Sequence, residues 1–369
     1  MKKLLFVGAG LSCSVLAERF ASTGFFECDV IDKREHVGGN CFTHLDAETG
    51  ITVHKYGPHI FNTSNQAVVD YLSRFIDFRP IHHAVKASLP GNGVFSLPIN
   101  LHTINQFFGK NFSPFEAEIF VKSLSDKSIV SPSNFEEQAL SMIGQDLYEA
   151  FFKGYTLKQW GVSPTLLPAS ILKRLPVRFN YNDSYYSSSF VAMPATGYTP
   201  LFEKLLDNPR IHVYLGTNYT QSMASDYDHV FYSGSIDQFF DYRYGRLSYR
   251  TVYWERQKER GDFQGCSVMN YPTLDFSHTR ISEHKYFEPW KNNDNTLVFT
   301  EYSKKTSEQD EPYYPMRLAD DLDKYNCYAN DAKLLPKTTF IGRLGKYKYY
   351  DMHHVVADSL ELFNAGSFI

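Results

Sequence analysis

The first forty residues constrain the fold of this chain more than any other segment. The apolar run Lys2 to Val7 predicts a buried parallel strand, Gly8-Ala9-Gly10 follows at once, and Leu11 to Phe20 predicts a helix. A second apolar run, Cys28 to Ile31, ends on Asp32. This order is typical of a fold that binds the ADP half of a dinucleotide. The glycines let the backbone turn and approach the pyrophosphate, and the acid accepts hydrogen bonds from a ribose hydroxyl. The segment therefore predicts a Rossmann-type domain.

Two details refine this prediction. Cys13 occupies the position of the third glycine in the usual fingerprint, and cysteine is small enough to preserve close packing of helix on strand. Gly38-Gly39 follows Asp32 within a few residues. An acid followed by a glycine doublet is characteristic of FAD enzymes rather than NAD dehydrogenases. We therefore expect FAD, with a ligand-free Rossmann-like unit as the alternative.

Composition narrows the class of protein. The 369 residues predict two or three domains, and a net charge of −4 gives no basis for a nucleic-acid or membrane partner. Tyr and Phe number 26 and 30, so we expect many tyrosines to line surfaces or pockets. The five cysteines show neither metal-ligand spacing nor a disulfide framework, so we expect no metal and a cytoplasmic location. No apolar run approaches the length of a transmembrane helix.

Hydrophobic periodicity predicts an α/β fold with three regions. Helical spacing dominates from about Thr103 to Trp160, short alternating strands return after Arg178, and a late strand, Thr338 to Arg343, precedes a helix from about Met352. We expect a discontinuous FAD-binding domain over 1–80, about 205–245 and 320–369. A helical lid or substrate domain is expected over about 100–170, and an antiparallel-sheet domain over about 81–99, 171–204 and 246–319.

The centre of the chain mixes aromatic and cationic residues. Tyr155 and Trp160 lie in one run, Arg174 in the next, and Tyr185 soon after. A pyrimidine base binds against flat aromatic rings, and a diphosphate binds guanidinium groups. The pattern favours a nucleotide-diphosphate site. The alternative, with aromatic residues in a core and arginines on a solvated surface, stays open at this point.

At this point the motifs resemble those of bacterial UDP-galactopyranose mutases, and the resemblance runs essentially end to end. The segments that carry it are His54-Lys55-Tyr56-Gly57, Lys153-Gly154-Tyr155-Thr156, Lys158-Gln159-Trp160-Gly161, Lys173-Arg174, Pro176-Val177-Arg178-Phe179, Ile236-Asp237-Gln238, Phe240-Asp241-Tyr242-Arg243, Glu311-Pro312-Tyr313-Tyr314-Pro315 and Tyr347-Lys348-Tyr349-Tyr350-Asp351-Met352-His353.

The resemblance implies a Rossmann-type FAD domain with a helical-bundle insertion and a twisted antiparallel sheet. It implies isomerisation of a nucleotide-linked hexopyranose to the hexofuranose, such as UDP-galactopyranose to UDP-galactofuranose, with no net redox change. FAD is active when reduced, and its N5 is the nucleophile that attacks the anomeric carbon, so no side chain is needed for that step. A homodimer and a role in surface polysaccharide or O-antigen precursor synthesis are also implied.

The resemblance also implies residue roles. Arg174 and Arg280 would stabilise the leaving diphosphate as catalytic residues, with Trp160 in a mobile lid and His59 near the flavin ring. The implied substrate-binding residues are Phe151, Phe152, Tyr155, Thr156, Trp160, Arg174, Tyr185, Arg250, Asn270, Arg280, Tyr314 and Tyr349. The implied cofactor-binding residues are Gly8, Gly10, Leu11, Asp32, Lys33, Gly38, Gly39, Asn40, Tyr56, Gly57, His59, Ile60, Arg343, Tyr350, Asp351 and Met352.

One departure bears on the substrate. Asn62 stands where a histidine is common in the family, so an acetamido or deoxy sugar, as in UDP-GalNAc or TDP-fucose, is an alternative. A flavin oxidase of the amine or protoporphyrinogen type shares the glycine fingerprint but has no use for diphosphate-binding arginines. A non-enzymatic module with structural FAD is the third alternative.

Overall fold

The computed structural model describes residues 1–173 and 176–366. The described chain divides into two compact units. Unit 1 comprises Met1–Ile81, Ser188–Ser248 and Ala319–Ile369, and unit 2 comprises His82–Ser187 and Tyr249–Leu318. Each unit is therefore built from separated parts of the chain.

Strands occur in both units. Numbered along the chain, they are β1 (Lys2–Val7), β2 (Phe26–Ile31), β3 (Thr43–Leu45), β4 (Thr52–His54), β5 (Phe61–Thr63), β6 (Phe78–Pro80), β7 (Val85–Leu89), β8 (Gly93–Leu97), β9 (Phe190–Pro194), β10 (Ile211–Tyr214), β11 (His229–Tyr232), β12 (Tyr249–Arg260), β13 (Val268–Asn270), β14 (Arg280–Glu283), β15 (Asn295–Lys305), β16 (Tyr314–Pro315) and β17 (Thr338–Phe340).

The α-helices lie between groups of these strands. They are α1 (Leu11–Ser22), α2 (Gln66–Leu72), α3 (Leu101–Phe108), α4 (Pro114–Leu124), α5 (Phe135–Tyr148), α6 (Gly154–Trp160), α7 (Ser170–Lys173), α8 (Thr199–Leu206), α9 (Ile236–Phe239), α10 (Ala319–Ala332), α11 (Gly342–Gly345) and α12 (Met352–Ala365). Among the residues described, no helix combines the length and the apolar character needed to cross a membrane.

Unit 1 is organised around a parallel sheet with strand order β10-β2-β1-β11-β17. The interior strand β1 is buried over Leu4 to Phe6, and the rings of Phe6 and Phe231 stack at 5.0 Å between centroids. Cys13 is fully buried in the same core. Its thiol replaces the third glycine without opening the packing of α1, as its small volume predicts. The same unit holds two small antiparallel sheets, ordered β3-β4 and β5-β9-β6.

Unit 2 contains a sheet with strand order β16-β12-β15-β14-β13-β7-β8. Its long ribbon pairs β12 with β15, from Arg250 opposite Lys305 to Arg260 opposite Asn295. The expected antiparallel sheet is confirmed, with one exception, because β7 and β13 run parallel. The chain segments of β7 and β13 are distant in sequence, and short-range pattern does not determine their relative direction.

The helices of unit 2 follow the helical spacing expected from about Thr103 to Trp160, with one interruption. The helix α5 has a kink at Gly144, whose φ is +75°. A Cβ at Gly144 would collide with the Leu124 carbonyl, so glycine is required. A π-helical turn, Glu149–Lys153, then leads into α6. Asn134 caps the start of α5, because its side chain accepts a hydrogen bond from Glu137 N.

Candidate active site

In unit 1 the glycine turn after β1 brings two stretches of backbone together. Gly8 has φ +109°, and a Cβ there would collide with Ser233 Oγ. Gly10 precedes α1, and a Cβ on Gly39 would lie 3.1 Å from the Gly10 Cα. Gly38 N also donates to Ala9 O at 2.8 Å. Larger side chains would fill this cradle, so the two glycine segments leave bare backbone at the start of α1, where a pyrophosphate binds.

Asp32 ties this turn to the end of β2. Its Oδ2 accepts a hydrogen bond from Ala9 N at 2.8 Å, and its Oδ1 accepts one from Arg34 N at 2.9 Å. A carboxylate oxygen has two lone pairs, so each oxygen can accept a further hydrogen bond from a ribose hydroxyl. The residue types and the geometry therefore fit the adenosine half of a dinucleotide.

Polar and aromatic residues surround the second glycine segment. Arg34 Nη2 donates to Asn40 Oδ1 at 3.0 Å, and the Arg34 guanidinium lies 4.4 Å from the centre of the Tyr56 ring. The Tyr56 hydroxyl lies 2.7 Å from His36 Nε2. The neighbouring predicted residues Leu11 and Lys33 lie at the start of α1 and directly after Asp32.

The remaining predicted cofactor residues of unit 1 lie in two later segments. His59 Nδ1 bonds to Gly57 O at 2.8 Å, and a carbonyl only accepts, so Nδ1 carries the hydrogen. Ile60 is buried beside it. The other segment surrounds the start of α12. Arg343 Nη2 donates to Tyr350 O at 2.6 Å, Asp351 is the N-cap residue of α12, and Met352 Sδ lies 3.7 Å from Cys41 Sγ.

Two further residues of unit 1 concern the substrate predictions. The ring of Tyr349 lies 5.7 Å from the Arg343 guanidinium. Asn62 lies in β5, where its Oδ1 accepts a hydrogen bond from Ser188 Oγ at 3.1 Å. The Asn62 side chain is therefore already hydrogen-bonded to another residue of unit 1. A histidine there would present a different donor and acceptor pattern.

Unit 2 contains a cavity that is partly open to solvent. Five of the predicted substrate residues line it together with apolar side chains. The lining comprises Leu97, Pro98, Met142, Ile143, Phe151, Phe152, Tyr155, Leu172, Pro176, Val177, Tyr185 and Asn270. Apolar and aromatic walls with a few polar groups are the features of a small-molecule site. The structure thus brings together five of the residues that the resemblance implied as substrate-binding residues.

Arg280 forms an ion pair with Glu301, in which the Glu301 side chain is buried and the Arg280 side chain is 25% exposed. Its Nη2 lies 2.7 Å from Oε2 of Glu301, whose carboxylate also accepts a hydrogen bond from Trp254 Nε1 at 3.2 Å. Burial disfavours the charged guanidinium, but Glu301, with Tyr155 and Tyr314, raises the pKa of Arg280 well above its ordinary value. Arg280 is therefore a fixed cation. Sequence reasoning missed Glu301, although a largely buried arginine requires a carboxylate partner.

Several predicted residues lie next to this pair. Asn270 is directly opposite Arg280 in the pairing of β13 with β14. Burial raises the pKa of the Tyr155 phenol, so the hydroxyl stays protonated and can donate a hydrogen bond. Tyr314 lies in β16, opposite Arg250. These positions keep a cation, an amide and phenols within one unit.

The helix α6 carries Tyr155, Thr156 and Trp160. Thr156 and Trp160 are buried. Arg250 is buried as well, and its guanidinium donates to the carbonyls of Gln159 at 2.9 Å and Lys158 at 3.2 Å. In this structure Arg250 therefore holds the end of the helix that carries Trp160. Arg174, the other predicted catalytic arginine, lies outside the described residues.

His83 is a second residue that sequence reasoning missed. Its ring packs edge-on against Tyr185 at 5.7 Å, and its carbonyl accepts a hydrogen bond from Tyr185 N at 2.8 Å. Burial, with the charges of Arg280 and His82, lowers the pKa of His83 to about 4, so the imidazole is neutral at pH 7. The pair His82-His83 before a strand was the available signal, but it does not distinguish a site residue from a core residue.

Two family models and several curated proteins match the chain. Residues 150–349 match the family model of UDP-galactopyranose mutase, and residues 7–75 match an NAD(P)-binding Rossmann-like domain. The chain is 48% identical over 360 residues to a probable UDP-galactopyranose mutase of Klebsiella pneumoniae, covering 98% of this chain and 93% of that protein. It is 44% identical to a dTDP-fucopyranose mutase of Escherichia coli, covering 98% and 97%.

The fold comparison is consistent with these relatives. A crystal structure of reduced UDP-galactopyranose mutase superposes with a TM-score of 0.80 at 14% identity, covering 99% of this chain and 94% of that one. Putrescine oxidase shares the fold more distantly, with a TM-score of 0.61 at 10% identity, covering 99% of this chain and 98% of that one. The family match and the two relatives determine the assignment: the chain belongs to the UDP-galactopyranose mutase family, whose pyranose mutases are isomerases.

Proposed function

We propose that this protein converts UDP-galactopyranose to UDP-galactofuranose in the cytoplasm, as a homodimer with reduced FAD. The observation that carries the proposal is the Arg280–Glu301 ion pair in the unit whose cavity Tyr155, Tyr185 and Asn270 line. Cleavage of the anomeric bond places negative charge on the departing UDP. A cation that is held in place by a buried carboxylate stabilises that charge more in the transition state than in the ground state.

The residues of unit 1 fit FAD. The bare backbone of Gly8, Gly10 and Gly39 would hold the pyrophosphate, and Asp32 would accept the ribose hydroxyls. When bound and reduced, FAD would supply the nucleophile for the anomeric carbon. The chain's own contribution is to bind the nucleotide, to orient the sugar and to stabilise the leaving diphosphate.

The tyrosine hydroxyls support the same role. Tyr155 and Tyr185 line the cavity, and Tyr155 lies within electrostatic range of Arg280. Hydroxyl donors beside the Arg280 cation suit a diphosphate that must leave and later return, because they add hydrogen bonds without adding charge. An amine oxidase would require a site for a cationic substrate, and the charge of Arg280 opposes that use.

A second substrate has a specific observation in its favour. Asn62 replaces the histidine that is common in the family, and its amide is held by Ser188. The 44% identity to a dTDP-fucopyranose mutase is close to the 48% identity to a probable UDP-galactopyranose mutase. dTDP-fucopyranose is therefore the second candidate, and UDP-GalNAc is the third.

A substrate panel tests the proposal. Purified protein loaded with FAD and reduced by dithionite is incubated with UDP-galactopyranose, dTDP-fucopyranose or UDP-GalNAc, and the furanose product is followed by chromatography and NMR. We expect the highest kcat/KM with UDP-galactopyranose. Faster turnover of dTDP-fucopyranose would move the assignment to the second candidate, and no furanose from any of the three would refute the mutase proposal.

A further inference from the structure

The loop between β13 and β14 lies between two predicted substrate residues. Asn270 ends β13 and Arg280 begins β14. Residues 271–278 of the intervening loop pack against α6, the helix that carries Tyr155 and Trp160. The position of this loop therefore affects the residues of α6 as well as Asn270 and Arg280 at its ends.

Gly154 shows how closely helix and loop approach. It is the first residue of α6, and a Cβ there would collide with the backbone carbonyl of Pro272. Its φ of −68° is ordinary for a helix, so no left-handed conformation explains the glycine. Close contact with the loop backbone is the reason for it.

Lys158 lies one helical turn after Gly154 and on the same face of α6. Its Nζ donates to three backbone carbonyls of the loop, those of Tyr271 at 2.5 Å, His278 at 2.7 Å and Phe276 at 3.1 Å. An ammonium group has three hydrogens, so this contact uses all of its donors. One side chain thereby fixes both ends of the loop.

The charges around Lys158 are few. Burial lowers the pKa of Lys158 to about 8, opposed by the charge of Asp275. Burial and then the charge of Lys158 lower the pKa of His278, with Glu255 acting in the opposite direction. Lys158 is therefore predominantly an ammonium at pH 7, and His278 is predominantly neutral.

We propose that Lys158 is a positioning residue of the substrate site, which ties α6 to the 271–278 loop. Through this tie, Tyr155 and Trp160 on the helix keep a fixed distance from Asn270 and Arg280. Arg250 holds the far end of the same helix, so Lys158 and Arg250 together fix α6 at two points. The inference rests on the proposed function and adds a residue that need not touch the substrate.

The first test replaces Lys158 by methionine, which keeps the length of the side chain and removes every donor. We expect kcat/KM to fall by about 100-fold, as for a small misplacement of groups that bind the transition state, while FAD stays bound. Lys153→Met is the matched control, because Lys153 is exposed and pairs with Glu149. We expect Lys153→Met to stay within twofold of the wild type.

Two readouts do not depend on turnover. Hydrogen exchange should become faster in 154–160 and 271–278 of Lys158→Met, with the rest of the chain unchanged, and UDP binding measured by calorimetry should weaken by about tenfold. Lys158→Cys treated with bromoethylamine regains an amine of nearly the original length. This treatment should restore activity and UDP binding, with wild type given the same reagent as the control.

Gly154→Ala provides an independent variant in case Lys158→Met does not fold. Alanine favours the helix but collides with the Pro272 carbonyl, so it should reproduce the loss of UDP binding. The inference would be overturned if Lys158→Met bound UDP as tightly as the wild type and if hydrogen exchange in 271–278 were unchanged. Inactive wild-type protein that still binds UDP would instead contradict the proposed function, and the exchange and binding data would still decide the role of Lys158.

Discussion

At the scale of single residues, the sequence pointed to Arg280 but not to its carboxylate partner. Arg280 was predicted from the resemblance, whereas Glu301 became evident only from the distance between β14 and β15 in the sheet. No sequence pattern connects residues 280 and 301, because cross-strand neighbours depend on register. The same limit applies to His83, whose contact with Tyr185 follows from chain segments that are distant in sequence.

Glu301→Gln tests the ion pair. The amide keeps the shape of the side chain but leaves Arg280, whose side chain is 25% exposed, without a carboxylate partner. We expect the free energy of unfolding to fall by about 2 kcal/mol, measured by urea denaturation. Glu255→Gln is the control, because Glu255 is an exposed carboxylate on the adjacent strand, and its change should stay below about 0.5 kcal/mol. Equal effects of the two variants would show that the Arg280–Glu301 pair does not stabilise the fold.

At the scale of elements, the glycine fingerprint was the most predictable part of the fold. β1, α1 and β2 follow from apolar period and turn chemistry, and these local signals agree with one another. The kink at Gly144 was not predictable, because it depends on the approach of the Leu124 carbonyl from α4. The parallel pairing of β7 with β13 was not predictable either, because it depends on a contact between segments that are distant in sequence.

The pH dependence of stability tests the burial of His229 in the parallel sheet. Its Nε2 bonds to Thr339 Oγ1 at 2.9 Å between β11 and β17, and burial lowers its pKa to about 4. The unfolded chain, with an ordinary histidine pKa near 6.5, binds this proton first as the pH falls. Stability should therefore drop between about pH 6.5 and 4, with about 2 kcal/mol of the loss due to this group.

His229→Gln keeps a hydrogen-bonding group but does not titrate in this range. We expect its stability to change less than that of the wild type between pH 6.5 and 4.5, by about 2 kcal/mol, in urea unfolding at each pH. Parallel pH profiles for the two proteins would show that His229 has the same pKa in the folded and the unfolded chain. That result would contradict this prediction.

At the scale of the whole molecule, the two units carry different parts of the proposed chemistry. The bare backbone and Asp32 of unit 1 suit a dinucleotide, and the Arg280–Glu301 pair and aromatic cavity of unit 2 suit a nucleotide diphosphate. The glycine fingerprint alone did not distinguish a mutase from an oxidase, because both classes share it. The arginines and tyrosines of the central and late segments favoured the mutase. The domain boundaries remain a prediction.

The central claim is that FAD acts here as a nucleophile and not as an electron acceptor for the substrate. The most direct measurement compares the same FAD-loaded protein, oxidised or reduced by dithionite, on UDP-galactopyranose, with the sugar nucleotides resolved by NMR. We predict UDP-galactofuranose from the reduced protein, little or none from the oxidised protein, and no oxidised sugar from either. Equal furanose formation by oxidised protein, or conversion of the sugar to an oxidised product, would contradict the account.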